Sequence, residues 1–271
     1  MRRKNMIESF FSFTGTPFSK GVPLDALYNS PALSEVLARL QMTAERQLFT
    51  VLTAEVGAGK TTAIRKFDSI LDKSRFILFY MSDSQLTPRW FYKGLLEQLG
   101  VEAKYYRNEA RLQLHKELQL VRSMQNKRVV TVVDEAHLLD REMMEEIRFL
   151  LNYQMDSVNP MALILVGQTE LRDKLKFAKY AAIRQRIDLK CTLPPLDRSQ
   201  IQAYISAHLN AVGYSSQIFS DSALDLIAKA SSGSLRLTNK ICTHCLTLAE
   251  LRGTKVVDDS MVSAIVDAEI S

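Results

Sequence analysis

The sequence predicts an α/β protein: a parallel five-stranded sheet between helices, followed by a small helical domain. Three observations predict it. Between residues 48 and 190, short β-branched or aliphatic runs alternate with helix-patterned stretches, the signature of a parallel sheet covered on both faces. A loop of small residues joins the first apolar run to the helix after it. Beyond Leu193-Pro194-Pro195-Leu196-Asp197 the pattern is helical alone. The chain therefore divides into an N-terminal arm and helix over 1–47, an α/β core over 48–193 and a helical domain over 194–271.

In the arm, Phe10-Phe11-Ser12-Phe13 and Thr16-Pro17-Phe18 form an aromatic cluster broken by turn residues. It suits packing onto the body of the protein, contact with a bound base, or docking of a second subunit. Ser30-Pro31 supplies an N-cap and a first helical residue for a helix through Leu40. In the core, strands are predicted at 48–53, 76–81, 129–133, 162–166 and 186–190. Helices are predicted at 60–72, 88–99, 109–126, 140–153 and 170–184. The last domain reads as helices 198–212, 220–232, 234–252 and 258–268, punctuated by Gly213, Gly233 and Gly253.

The loop Ala54-Glu55-Val56-Gly57-Ala58-Gly59-Lys60-Thr61-Thr62 lies at a strand-to-helix junction. Small residues there let backbone N–H groups close around an anion, and the helix dipole favours negative charge. The pattern G-x-x-x-x-G-K-[ST] puts Lys60 on the β- and γ-phosphates of ATP and the Thr61 hydroxyl on Mg2+. Ala54 stands in the place of the first glycine, which is acceptable where the local φ is negative.

Arg128 to Val133 is a β-branched run that ends in Asp134-Glu135. Asp134 at the strand tip is placed to hold the magnesium through its water shell. Glu135 is placed to take a proton from the attacking water. Ligands of such sheets bind at the carboxyl ends of the strands, and both motifs fall there. Gln168, at the tip of the fourth strand, is the candidate to orient that water; the alternative is a plain helix cap.

Composition adds limits. The chain has 271 residues, 46% hydrophobic and 24% charged, with net charge +5 and pI near 9.0. That permits a polyanionic partner without demanding one. No apolar run reaches the roughly 18 residues of a membrane span, and Glu8 spoils a signal peptide behind Met1-Arg2-Arg3-Lys4, so no membrane association and a cytoplasmic location are expected. Cys242-Thr243-His244-Cys245 lacks the second pair that a structural zinc site needs, so buried thiols are expected.

Outlying arginines carry further expectations. Arg184 and Arg186, at i and i+2, point different ways, so one can pair locally while the other projects into a neighbour's nucleotide site. Arg236 follows Ser232-Gly233-Ser234-Leu235 in the first turn of a helix, where the dipole disfavours a cation. That cost points to a phosphate partner.

Together these pieces resemble the AAA+ ATPases, and within them the ExeA-like group. Phe13 to Phe18, Glu55 to Thr62, Val133 to Leu139, Val166 to Leu171 and Ile183 to Ile187 carry the likeness, which spans nearly the whole chain. The resemblance implies ATP and Mg2+ as ligands and Glu55, Val56, Gly57, Ala58, Gly59, Lys60, Thr61, Thr62, Asp134 and Arg236 as the nucleotide set. Secretion ATPases of the group add a membrane span and a peptidoglycan-binding domain, neither of which these residues encode. The sequence is similar instead to transposon ATPases of the TnsC/TniB type. That likeness implies a homo-oligomer, as ring or filament, on duplex DNA, with a transposase as partner. The loops to meet DNA backbone are then Ser82 to Arg89 and Lys104 to Asn108, with Thr87, Arg89, Lys104 and Arg107 as the contacting group.

Overall fold

The computed structural model describes residues 6–19, 21–24, 26, 28–83, 86–151 and 159–269. Residues 1–4, the expected helix end at 152–153 and Ser84-Gln85 lie outside the described residues. The chain forms two compact units. One comprises residues 34–54 and 60–193, the other residues 1–33, 55–59 and 194–271.

The first unit is built on β1 (Phe49–Ala54), β2 (Phe76–Met81), β3 (Arg128–Val133), β4 (Ala162–Gly167) and β5 (Leu189–Leu193). All pair in parallel, in the order β2-β3-β4-β1-β5. Every residue of β1 and β4 is buried, which is why both read as unbroken apolar runs rather than alternating ones. Helices α2 (Pro31–Arg46), α3 (Lys60–Ile70), α4 (Pro88–Gln98), α5 (Arg107–Met124), α6 (Arg141–Leu151), α7 (Thr169–Lys176) and α8 (Ala181–Arg184) connect and cover the strands.

Strand alternation sends Phe49, Val51, Val129, Val133, Leu163 and Leu165 into a core shared with α4, α5, α6 and α7. The opposite face takes Leu52, Val130, Val132 and Ile164. There α2 is fastened to β1 by the buried pair Thr43 and Thr50, whose hydroxyls lie 2.6 Å apart.

The structure corrects the sequence reading in places. The fifth strand starts at Leu189, later than the predicted 186, so Arg186 lies in the turn before it. The long helix predicted over 170–184 is two helices, α7 and α8, split by a 3-10 turn at Ala178–Tyr180. An additional short helix, α1 (Met6–Phe11), carries Phe10 and Phe11, the first residues of the aromatic cluster.

The second unit packs α1 with α9 (Arg198–Asn210), α10 (Asp221–Ser231), α11 (Leu235–Leu251) and α12 (Asp259–Glu269). Phe11, Phe13 and Phe18 are buried in its core beside Ile205, Phe219, Ile241 and Leu246. Of the three roles weighed for the arm aromatics, packing is the one these residues fill, and the surface they cover is the helical unit. Asp197 caps α9 with a full capping box, giving the stop at Pro194-Pro195 a sharp restart. Cys242 and Cys245 are buried, unpaired thiols, pushed up by burial, Cys245 to about 12.

His208 is 2% exposed and lies between Phe18, stacked at 5.2 Å, and Tyr204, at 4.5 Å. Neither ring nitrogen finds a hydrogen-bond partner among the described residues. Burial holds its pKa down at about 4, below the usual 6.5, so the folded state keeps the ring neutral. The unfolded chain binds that proton first as pH falls. The stabilisation is therefore complete above about 6.5 and lost towards about 4, on the order of 3 kcal/mol in total. Urea denaturation at pH 7 and pH 4.5 should show His208→Leu losing less stability on acidification than the wild type.

Candidate nucleotide site

The order β2-β3-β4-β1-β5 sets the site. The chain leaves β1 for the far edge strand β2, returns through β3 and β4, and jumps over β1 to β5. The crevice beyond the carboxyl ends at such a reversal is where open α/β sheets bind ligands. Three tips lie there in a row: β1, β4 with Gln168, and β3 with Asp134 and Glu135. Adjacent tips are about 4.8 Å apart in the hydrogen-bonding direction.

At the β1 tip, Ala54 closes the strand in extended backbone, so its Cβ costs nothing where the motif has glycine. Lys60 opens α3 and folds back, its Nζ donating to the Ala54 carbonyl at 3.0 Å. Thr61, in the first turn of α3, is exposed.

At the β3 tip, Asp134 is 3% exposed and both carboxylate oxygens are engaged. Oδ1 accepts the Glu135 N–H at 2.8 Å, and Oδ2 accepts the Tyr80 hydroxyl at 2.6 Å. Burial, then that hydrogen bond, push the Tyr80 phenol well above its usual range. Glu135 adopts the left-handed conformation, φ 53° and ψ 31°, a state that costs a non-glycine residue roughly 1–3 kcal/mol. Its Oε2 lies 3.5 Å from His137 Nδ1.

Strain of this kind persists only where the surroundings over-determine it. Two features do so. Lys174 of α7 donates to the carbonyls of His137, at 2.9 Å, and Leu139, fastening the 3-10 turn Ala136–Leu138 that follows Glu135. Burial holds the Lys174 ammonium below its usual range. Gly167 ends β4 so closely beneath that turn that a Cβ would stand 3.2 Å from the His137 backbone nitrogen and 2.9 Å from Leu171 Cδ2. Tyr80 and Lys174 carry no expectation from the sequence, and His137 only as part of the Val133–Leu139 likeness. Their role depends on which strand tips become neighbours; an alternating edge strand and a lysine on a helix give no signal of it.

Gln168 is the N-cap residue of α7, yet its side chain makes no capping hydrogen bond. The plain-cap alternative therefore accounts for its backbone and leaves its amide unused.

The loop Glu55–Gly59 groups with the helical unit. There the Arg236 N–H donates to the Gly57 carbonyl at 3.3 Å, and the Ser234 hydroxyl meets the Val56 carbonyl at 3.5 Å. Ser234 also caps α11. Gly57 has φ +78°, and a Cβ on it would lie 2.3 Å from Ser234 Oγ and 3.0 Å from Arg236 Cβ. The Arg236 side chain is exposed and forms no ion pair among the described residues.

The outlying cations divide. Arg184 is committed locally, its Nη1 donating to the carbonyls of Leu175, at 3.0 Å, and Lys176, at 2.7 Å, at the end of α7. Thr87 caps α4, accepting the Trp90 N–H at 3.4 Å. The two loops expected to meet DNA converge: the Arg89 guanidinium sits 4.4 Å over the Tyr105 ring, and Lys104 is exposed beside it in sequence. Arg107 departs from that group. Its guanidinium pairs with Glu142 at 2.7 Å and with the fully buried Glu146, which also accepts the Tyr92 hydroxyl. A buried carboxylate needs such partners, so Arg107, though its side chain is 40% exposed, is tied to the fold through Glu146.

The donors near the β-strand tips, Thr61 and Asp134, are hard oxygens, which suits Mg2+ better than a soft metal. Among the described residues no cluster of His, Cys, Asp and Glu forms an all-protein cage. That fits an ion held by two side chains, water and phosphate oxygens.

Residues 42–175 match the AAA domain family. This stretch is an AAA-family ATPase domain. The chain is 32% identical over 254 residues to General secretion pathway protein A of Aeromonas hydrophila, covering 92% of this chain and 46% of that one. It thus spans less than half the length of that relative. By structure the chain is similar to Drosophila ORC solved bound to DNA, with TM-score 0.73 and 19% identity over 99% of this chain and 67% of that one. It is also similar to the Thermotoga maritima RuvB Holliday junction branch migration motor, with TM-score 0.61 and 17% identity over 93% of this chain and 73% of that one. At such identities the likeness is one of fold. No described helix is long and apolar enough to cross a membrane.

Two predictions follow from these contacts. Gly57→Ala forces a Cβ into the left-handed region against Ser234, so urea denaturation should show a loss of roughly 1–3 kcal/mol in the helical unit. Arg107→Ala leaves the Glu146 carboxylate buried with weakened pairing and should cost roughly 3 kcal/mol, whereas Lys104→Ala should leave stability within about 0.5 kcal/mol.

Proposed function

We propose that this AAA protein hydrolyses ATP to control its assembly on duplex DNA, where the assembled subunits recruit or activate a transposase. The observation that carries the DNA reading is the Arg89 guanidinium held over the Tyr105 ring, a contact between two segments that also carry the exposed Thr87 and Lys104. Cations presented this way meet phosphate oxygens and give little sequence preference. The fold shared with DNA-bound ORC is consistent with it.

In the proposed cycle Lys60 leaves the Ala54 carbonyl for the β- and γ-phosphates, an exchange of one acceptor for a charged one. Backbone N–H groups at the start of α3 bind phosphate oxygens. Thr61 and Asp134 are the residues that would hold Mg2+, which would supply positive charge against the phosphates. Glu135 turns from His137 to take the proton of the attacking water, which Gln168 orients. One of Arg184 and Arg186 is offered to a neighbouring subunit's γ-phosphate, Arg184 also donating to the carbonyls that end α7. Arg236, tied through its backbone to Gly57, supplies a cation to the phosphates from the helical unit.

A second reading rests on the 32% identity to General secretion pathway protein A. In it the same ATPase acts on protein partners in secretion or envelope assembly. Fluorescence anisotropy with a random-sequence duplex separates the two. Tight, cooperative binding with a non-hydrolysable ATP analogue, absent with ADP, supports assembly on DNA. No binding in any nucleotide state overturns it and leaves the protein-directed reading.

The cycle also predicts that Glu135→Gln binds ATP but hydrolyses it at least about 100-fold more slowly. Its DNA complex should outlive that of the wild type; equal lifetimes would show that hydrolysis does not time disassembly. Whichever of Arg184→Ala and Arg186→Ala removes the arginine acting in trans should lose ATP turnover that mixing with Glu135→Gln subunits partly restores.

A further inference from the structure

Asp134 has a partner that the ATPase reading leaves unexplained. Tyr80 lies on β2, the edge strand, where its register partner on β3 is Val132. Asp134 is two residues further along, just past the end of β3, and strand alternation puts it on the same face as Val132. The hydroxyl reaches Asp134 Oδ2 at 2.6 Å.

The strand that carries Tyr80 is itself held. Asp134 N–H donates to the Met81 carbonyl at 2.7 Å, extending the β2–β3 ladder one residue past β3. The Tyr80 N–H, on the open edge of the sheet, donates to Gln98 Oε1 at 3.3 Å, and Gln98 Nε2 donates to the Gly94 carbonyl of α4 at 3.2 Å. The phenol is thus anchored at its backbone by α4 and at its hydroxyl by the carboxylate. With Oδ1 fixed by the Glu135 N–H, the Tyr80 bond leaves the carboxylate plane no freedom to rotate.

We infer that Tyr80 is a positioning residue that locks the rotamer of Asp134 for Mg2+-dependent nucleotide binding. The inference rests on the proposed ATP and Mg2+ site. A carboxylate bound to a metal's water shell must present one oxygen in a set direction, and groups that orient metal-binding side chains typically contribute about 10–100-fold in metal affinity. Tyr80→Phe removes one hydroxyl and keeps the ring that packs at the edge.

The test is equilibrium binding of a fluorescent ATP analogue, titrated with Mg2+ and repeated in EDTA. Tyr80→Phe should move the Mg2+ midpoint up by roughly tenfold and leave the affinity in EDTA unchanged. In an Asp134→Asn background the same change should have no further effect, because the two act through one group. An unchanged Mg2+ midpoint overturns the inference. An equal loss with and without Mg2+ also overturns it, since that marks a general disturbance of the edge. A wild-type protein whose affinity ignores Mg2+ overturns the metal site itself, and the positioning role with it.

Discussion

The parallel pairing of β1 with β4 is the constraint on which the α/β unit depends. Both strands are buried on both faces, so neither has a solvent side to turn toward water. Buried parallel strands must run the same way, with helices carrying the chain back, and all their carboxyl ends then meet at one edge of the sheet. Thr53 opposite Gly167 fixes the register at that edge. The phosphate-binding loop leaves from one strand of the pair and Gln168 from the other. With β3 next to β4, Asp134 and Glu135 complete the row. No single polar residue had to find its place independently.

Holding polar groups at the edge of an apolar sheet requires local compensation. Asp134 is nearly enclosed, and its two oxygens are satisfied by a backbone N–H and a phenol. Glu135 sits in a backbone conformation that opposes its own Cβ. The turn beyond it holds because Lys174 bridges the carbonyls of His137 and Leu139, while Gly167 leaves room for the close approach. These contacts come from three different strand or helix ends, so the geometry of the two acidic residues reports the packing of the whole unit.

Cations in this protein serve two ends. Arg184 and Arg107 are spent on the fold: one satisfies the last carbonyls of α7, the other neutralises a carboxylate buried between helices. Arg89 and Lys104 remain at the surface, and stacking on Tyr105 limits how far Arg89 can wander. A guanidinium with its donors already filled gains little from a phosphate, whereas a preorganised exposed one loses little entropy in meeting it.

The order of strands and helices was legible because burial on both faces forces continuous apolar runs and turns force glycine and proline. The phosphate loop and the acidic strand end were legible too, since each is a local pattern whose chemistry lies in adjacent residues. The start of β5 was misplaced because Ile187 extends the alternation of Leu189, Cys191 and Leu193, while the turn at Ile183–Arg186 is set by backbone hydrogen bonds. By itself the sequence determined an α/β protein with a phosphate loop and two carboxylates at strand tips. Only the tertiary structure decided that Tyr80 meets Asp134, that Lys174 clamps the turn after Glu135, and that Arg107 and Arg184 are committed to the fold. Those facts depend on which residues far apart in the chain become neighbours, and neighbourhood across strands and helices is set by packing, which no local pattern encodes.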